Sequence, residues 1–557
     1  MFINFTQTHS ARHVLALFFS LLMSFGLTGC AALPSDIQRP VTTALENNLN
    51  TRLGKDVAAR AAAATTRNDS GFALVGSADL AFTSRMTLIK AAEKTLDLQY
   101  YAVHADNTTD RLFEALREAA ARGVRVRILL DDFNTAGKDA QVLRLAFENN
   151  IEMRLFNPLP SNRSSAMWRI ISSLSDAARL QRRMHNKIFV ADNAVAITGG
   201  RNLGDTYFGQ SDGVNFVDID VLASGRIARD LSRSFDQYWN NPLAYPVKSL
   251  MTAKDLERLK PLPAAQAASF GEYPPTQPTA TPSEASNKNT VGREAVNPAG
   301  ISTTPAALTD TTDLRLLSWT WAASTMLVDK PSKIAEDADT TEISNDTAVD
   351  GLLSLMSSAQ TDLLVVSPYF VPGPEMMRQF EAIRKRGVRM RVLTNSLASN
   401  DAVAAHAGYA RYREGLLAMG VEIYEMRAEQ RGTLSSFGTG STGGSRGASR
   451  ASLHAKAVVV DNRLLVVGSM NLDLRSKLQN SEVAIVIRNR KLAAEATALI
   501  EPGMIQGAYR VELKDGQLVW RAPQGSGLAD ATSEPDASAG LKLMVRMIAP
   551  FAPDEML

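Results

Sequence analysis

Two short segments of this chain place an imidazole two residues before an ammonium: His185-x-Lys187 and His454-x-Lys456. A carboxylate completes each at one spacing, Asp192 in the first and Asp461 in the second. On a strand, residues i and i+2 point to one face, so each segment sets a ring beside a fixed positive charge. That pair suits a phosphate. The lysine neutralises non-bridging oxygens while the histidine attacks phosphorus or moves a proton. The chain has only 6 histidines among 557 residues, so two copies of H-x-K-x4-D point to shared chemistry rather than chance.

The elements that must hold these residues are also written twice. Arg122-Gly123-Val124-Arg125-Val126-Arg127-Ile128-Leu129 returns as Arg386-Gly387-Val388-Arg389-Met390-Arg391-Val392-Leu393. Upstream, Leu96-Asp97-Leu98 matches Thr361-Asp362-Leu363. These matches and the His/Lys/Asp sets recur in one order at nearly one offset, which argues for duplication. Each copy reads as α/β. Residues 110–121 carry Leu112, Ala115, Leu116 and Ala119 at helical spacing, with Gly123 as a stop and a strand over 124–130. Asp192-Asn193 and Asp461-Asn462 separate short apolar runs, which predicts two hairpins. Such units imply mixed sheets covered by helices.

Length and composition bound the rest. A chain of 557 residues suggests more than one domain. It is 45% apolar with a formal net charge of +2, which fits a globular protein and gives no bulk basic signal for nucleic acid. A single cysteine leaves no intramolecular disulfide and no Cys-rich zinc site, and no metal-ligand cluster is visible. That cysteine, Cys30, closes Leu27-Thr28-Gly29-Cys30 after an apolar run over 14–26. The run is short for a membrane span and suits a signal-peptide core. The reading is therefore a signal peptide over 1–29, lipidation at Cys30, and a tether over 30–69. A first α/β half then covers 70–250, and a Pro/Thr/Ala-rich linker covers 251–311, read as disordered. A second half covers 312–510 and contains a Gly/Ser-rich loop at 431–450, either a lid or a surface insertion. A tail over 511–557 carries Leu541, Met544, Val545 and Ile548 as an apolar stripe, with Lys542 and Arg546 on another face. That helix either lies on a membrane surface or docks on the body.

The paired motifs resemble those of the phospholipase D superfamily. Gly199-Gly200-Arg201-Asn202 and Gly468-Ser469-Met470-Asn471 follow the two motifs, and Asn480-Ser481-Glu482 and Val217-Asp218-Ile219-Asp220 follow those. A narrower resemblance, to bacterial cardiolipin synthases of the C type, lies in Leu98-Gln99-Tyr100-Tyr101, in residues 183–187 and in residues 200–208. It continues in Thr394-Asn395-Ser396-Leu397-Ala398-Ser399-Asn400-Asp401 and in residues 406–412. The lipobox resembles that of bacterial lipoproteins, which implies a membrane anchor facing the periplasm, with outer-membrane sorting. The superfamily resemblance implies two phospholipase D-like halves related by a pseudo-twofold around one cleft. The reaction it implies is phosphatidyl transfer between phospholipids such as phosphatidylglycerol and phosphatidylethanolamine. Hydrolysis to phosphatidic acid uses the same motifs and stays open, as does a phosphodiesterase acting on nucleic acid, which the lipobox and the modest net charge argue against; a non-enzymatic lipoprotein scaffold is disfavoured because both His/Lys/Asp sets are intact.

The resemblance also implies roles. One histidine becomes phosphatidyl-histidine and the other is acid and base. The usual order makes His185 the nucleophile and His454 the acid/base, with the reverse left open. Lys187, Lys456, Asn202 and Asn471 bind phosphoryl oxygens, while Asp218 and Glu482 orient the imidazoles. Asp192 and Asp461 complete the catalytic motif and read as structural supports at the hairpin turns. No metal or cofactor is implied, nor an obligate oligomer, since one chain supplies both halves. Nucleic acid is not an expected partner. His104 reads as a cleft or surface residue, His406 as a helix-packing or substrate residue, and Trp319 and Trp321 as core.

Overall fold

A computed structural model of the chain describes residues 33–159, 177–251, 255, 311–314, 317–335, 346–430 and 449–556. Cys30 and the segment read as a signal peptide, most of the proline-rich linker and most of the loop at 431–450 lie outside them.

The duplication is visible as two nine-stranded sheets. In the first half, the parallel strands Thr95–Tyr100, Arg125–Asp131 and Ile151–Phe156 lie beside the antiparallel hairpin Ile188–Ala191 and Val195–Gly199, and then Asp220–Gly225. The second half repeats the order with Asp362–Val366, Arg389–Asn395 and Glu422–Met426, then Ala457–Val460, Leu464–Gly468 and Val483–Arg488. Helix Asn107–Ala121, capped by Asp106 and ended at Gly123 with φ 92°, makes the first crossover.

Both predicted hairpins form. Asp192 and Asn193 have φ of 51° and 48°, and Asp461 and Asn462 have 51° and 47°, the left-handed pair a two-residue turn requires. Asp192 accepts from the backbone N–H groups of Glu93, Lys94 and Thr95 at 2.8–2.9 Å. Asp461 accepts from Gln360, Thr361 and Asp362 at 2.8–3.1 Å. Each motif carboxylate thus ties its hairpin tip to the start of the neighbouring strand.

A charge cluster around a buried arginine is duplicated as well, with more exposed carboxylates in the second half. Arg127 donates to Asp97 at 2.7 Å and to Asp236, on helix Arg226–Trp239, at 2.8 Å. Arg391 does the same with Asp362 and with Glu501, on helix Arg490–Gly507, both at 2.7 Å. Removing Asp97 strips the buried Arg127 of one of its two carboxylates and leaves Asp236 as the other. Asp97→Ala is expected to cost about 3–5 kcal/mol of stability, read as a lower denaturant midpoint with the slope unchanged.

The halves share a core. Phe72, Ile188, Val190 and Val221 of the first sheet pack in one cluster with Leu364, Val459, Leu465 and Ile485 of the second. Each contributes about 1.5–3 kcal/mol on burial, so the two sheets form one body.

Three boundaries differ from the sequence reading. The stretch 30–69 is folded from residue 33 onward, not only a tether. Pro40 and Thr42 offer backbone carbonyls to Arg154 and Arg127, and helix Arg52–Ala63 follows. The buried guanidinium groups need those acceptors. Thr320–Trp321, assigned to the second half, pairs with Ser70–Val75 at the edge of the first sheet. The tail from 511 begins inside a strand, because Ala508–Lys514 and Gln517–Arg521 complete the second sheet. Helix Ala539–Ile548 splits the apolar stripe. Leu541, Val545 and Ile548 are half-buried, while Leu543, Met544 and Met547 stand 57%, 44% and 58% exposed. No helix among the described residues is long and apolar enough to cross a membrane.

Candidate active site

Each histidine sits where a strand of its hairpin begins, and the other half holds it there. The His185 backbone N–H donates to Ser481 O at 2.9 Å, and Ser481 N–H returns a bond to Arg183 O at 3.0 Å. His454 N–H donates to Val217 O at 2.8 Å, and strand Ser449–Leu453 runs parallel to Val214–Val217. These crossings carry the carboxylates with them. His185 Nδ1 lies 3.0 Å from Glu482, and His454 Nδ1 lies 2.7 Å from Asp218. Each imidazole is therefore oriented by a residue of the opposite half. A carboxylate accepts, so Nδ1 keeps the proton and Nε2 is left for chemistry.

The lysines are built alike. Lys187 Nζ donates to His185 O at 2.7 Å and Lys456 Nζ to His454 O at 2.6 Å. Close packing makes room for the carboxylates. A Cβ on Gly200 would lie 2.2 Å from Asp218, so only glycine lets that side chain approach. The second half has Ser469 there, and its hydroxyl donates to Glu482. Ser476 donates to the other Glu482 oxygen at 3.0 Å.

Electrostatics separate the two histidines. Burial, with Lys187 and Lys456 alongside, holds His185 well below the ordinary histidine value, so it is a neutral ring at pH 7. Burial and Lys456 also lower His454, but the hydrogen bond and charge of Asp218 oppose them. Burial raises Asp218, yet its bond to His454 and the charges of His454, Arg201 and Lys456 outweigh that and hold it low. Glu482 is raised by burial. Burial lowers Lys187 to about 7 and Lys456 to about 8. An arriving phosphodiester anion opposes that shift and favours both ammonium forms.

The structure therefore brings His185, Lys187, His454, Lys456, Asp218 and Glu482 together across 297 positions of sequence. Asn202 and Asn471 border them differently. Asn202 gives its amide N–H to the Tyr207 hydroxyl at 3.0 Å and accepts from Ala102 N–H, whereas the buried Asn471 Oδ1 has no hydrogen-bond partner among the described residues. Asp192 and Asp461 lie at the hairpin tips. His406 is fully buried against Glu534 at 3.3 Å, and Trp319 packs against the first core, with Trp321 at its edge. His104 pairs with Asp139 at 3.0 Å and stacks on Tyr207. No group of three or more His, Cys, Asp or Glu residues among the described residues is arranged to hold a metal ion.

Sequence reasoning missed the aromatic walls. Tyr101 meets His185 edge-on at 5.1 Å, and Tyr207 meets His454 edge-on at 5.3 Å with Phe216 at 5.0 Å. Tyr101 and Tyr207 sat inside quoted motifs, but their types alone pointed to no role. Ser469 carried a signal: it is the position where the repeat departs from Gly200.

A model described as "Cardiolipin synthase, PLD-like domain" matches residues 86–239 and 352–502, one match per half. The chain belongs to this cardiolipin synthase family. Cardiolipin synthase C of Escherichia coli (strain K12) is 34% identical over 471 residues, covering 84% of this chain and 92% of that protein. An uncharacterized protein of Helicobacter pylori (strain ATCC 700392 / 26695) is 30% identical and covers 83% of this chain and 85% of its own. The crystal structure of phosphatidylserine synthase from Haemophilus influenzae Rd KW20 superposes with a TM-score of 0.53 at 12% identity, over 91% of this chain and 100% of that one. The family model thus matches this chain twice, and each match contains one His-x-Lys pair, His185 with Lys187 and His454 with Lys456.

Proposed function

We propose that the chain is a phosphatidyltransferase that joins membrane phospholipids, with cardiolipin as its product. The observation that carries this reading is the pair of histidines, each locked through Nδ1 by the other half, with Lys187 and Lys456 close enough to act on both.

His185 Nε2 attacks the phosphorus of the donor lipid. The P–O bond to the headgroup breaks, and protonated His454 gives its proton to the departing oxygen. A phosphatidyl-histidine remains. His454, now neutral, takes the proton from the hydroxyl of the acceptor phosphatidylglycerol. That oxygen attacks phosphorus, the P–N bond breaks, and His185 is regenerated. Lys187 and Lys456 hold the non-bridging oxygens as charge shifts onto them. Neutral His185 and Asp218-supported His454 favour this order of roles over the reverse. Phosphatidylethanolamine or a second phosphatidylglycerol serves as donor.

Membrane association suits the substrate. Lipidation at Cys30 would tether the chain outside the cytoplasm, facing the periplasm on the outer membrane. Exposed Leu543, Met544 and Met547, beside Lys542 and Arg546, support surface contact by the last long helix.

The test uses the full chain with vesicles of phosphatidylglycerol and phosphatidylethanolamine, products being followed by mass spectrometry. Cardiolipin made only with the intact protein is the expected result. Phosphatidic acid without cardiolipin would make water the acceptor and the protein a phospholipase D.

A further inference from the structure

One motif is still without a role. Residues 394–401 do not touch the histidines, yet they are clamped beneath one of them. Asn395 exchanges two hydrogen bonds with the backbone of Leu453, the residue before His454, at 2.8 and 2.9 Å. Ser399 Oγ is held between Asn395 Oδ1 at 3.0 Å and Met426 O at 2.8 Å. This buried turn ends at Asp401, an exposed residue.

Asp401 precedes helix Val403–Ala418 but does not cap it. The N-terminus has no side-chain cap, and Asn400 accepts from Ala402 N–H at 2.9 Å. Among the described residues, the hydrogen-bond partner of the Asp401 carboxylate is the Tyr369 hydroxyl, at 2.9 Å. Asp401 also lies near enough to act on Lys456 and on Tyr207, the ring edge-on to His454. The opposite flank carries both signs: Asp131 and then Arg475 act on Tyr101, and Arg475 acts on His185.

Asp401 favours the ammonium form of Lys456. It repels a phosphodiester anion and draws on the charge of Lys456. A cation in the substrate reverses that balance. With His454 as the acid, the headgroup departs on the His454 side, toward Tyr207, Tyr369 and Asp401. We propose that Asp401, set by Tyr369, selects phospholipid donors whose headgroup carries a primary ammonium. This rests on the phospholipid reading above. The ammonium gains a charge-assisted hydrogen bond from Asp401, whereas a glycerol headgroup offers only neutral hydroxyls. The tyrosine rings beside it add cation–π attraction.

The experiment measures headgroup release by the full chain from mixed micelles. Phosphatidylethanolamine or phosphatidylglycerol is the only reactive lipid, so release reports donor use whatever the acceptor. Asp401→Asn is expected to lower the ratio of kcat/KM for ethanolamine over glycerol release by about tenfold or more. Asp401→Glu should restore most of it. Tyr369→Phe, which removes only the hydroxyl that fixes the carboxylate, should lower the same ratio by a smaller factor. Thermal midpoints of all three show whether each variant is folded. A ratio that Asp401→Asn leaves within about twofold of wild type, or a larger loss with phosphatidylglycerol, overturns the assignment. Wild type that releases glycerol but no ethanolamine overturns it too. Wild type that releases neither headgroup overturns the phospholipid reading, and this inference with it.

Discussion

His185→Ala and His454→Ala each lose about 10⁴-fold or more in phosphatidyl transfer from natural lipids, and they fail differently. His454→Ala lacks the acid, so a donor with a p-nitrophenyl leaving group, which departs unprotonated, regains most of the lost first step. His185→Ala lacks the nucleophile, and the same donor does not rescue it. A phosphohistidine trapped by an alkaline detergent quench, in which its P–N bond survives, should appear in His454→Ala and be absent from His185→Ala. The reverse pattern would exchange the two roles. It would also contradict the electrostatics, in which His185 is the ring held well below the ordinary value and His454 is the ring with an ionised carboxylate at 2.7 Å.

Asp218→Asn is expected to lower kcat by about 10²–10⁴-fold, and its pH profile shows why. Asp218 favours protonated His454. Without that charge His454 gives up its proton at lower pH, so the alkaline limb of kcat moves down. Glu482→Gln should leave that limb in place while slowing attack by His185. In wild type the alkaline limb of kcat/KM is set by the lysines of the empty site. Lys187, at about 7, and Lys456, at about 8, are both cationic below pH 7 and lose charge as pH rises through those values. Capture of the phosphodiester therefore weakens through pH 7–8. A kcat/KM that stays flat to pH 9 would contradict this account.

Local chemistry was legible in the sequence. Asp-Asn turns, helix stops at glycine and the duplicated His/Lys/Asp sets all depend on residues close together, and they appear where expected. Relations across the pseudo-twofold were not legible. Nothing in the spacing shows that His185 takes Glu482 rather than Asp218, because both choices satisfy the same motif. The segment at 33–47 was illegible for another reason. It grips the first half with backbone carbonyls such as Pro40 O and Thr42 O, which every sequence offers equally. The tail was cut too early because Ala508–Lys514 starts directly at the end of helix Arg490–Gly507, with no turn signal between them.

The exchange of carboxylates between halves also bears on synthesis. His185 and Glu482 are 297 positions apart. At about 5–20 residues per second, a ribosome needs roughly 15–60 s to pass from one to the other. Throughout that interval the nascent chain has His185 but not Glu482 to fix its ring, and for all but the last 28 residues it lacks His454 as well. A lipid-cleaving activity thus stays unarmed until translation is nearly complete, with no inhibitory propeptide needed to restrain it.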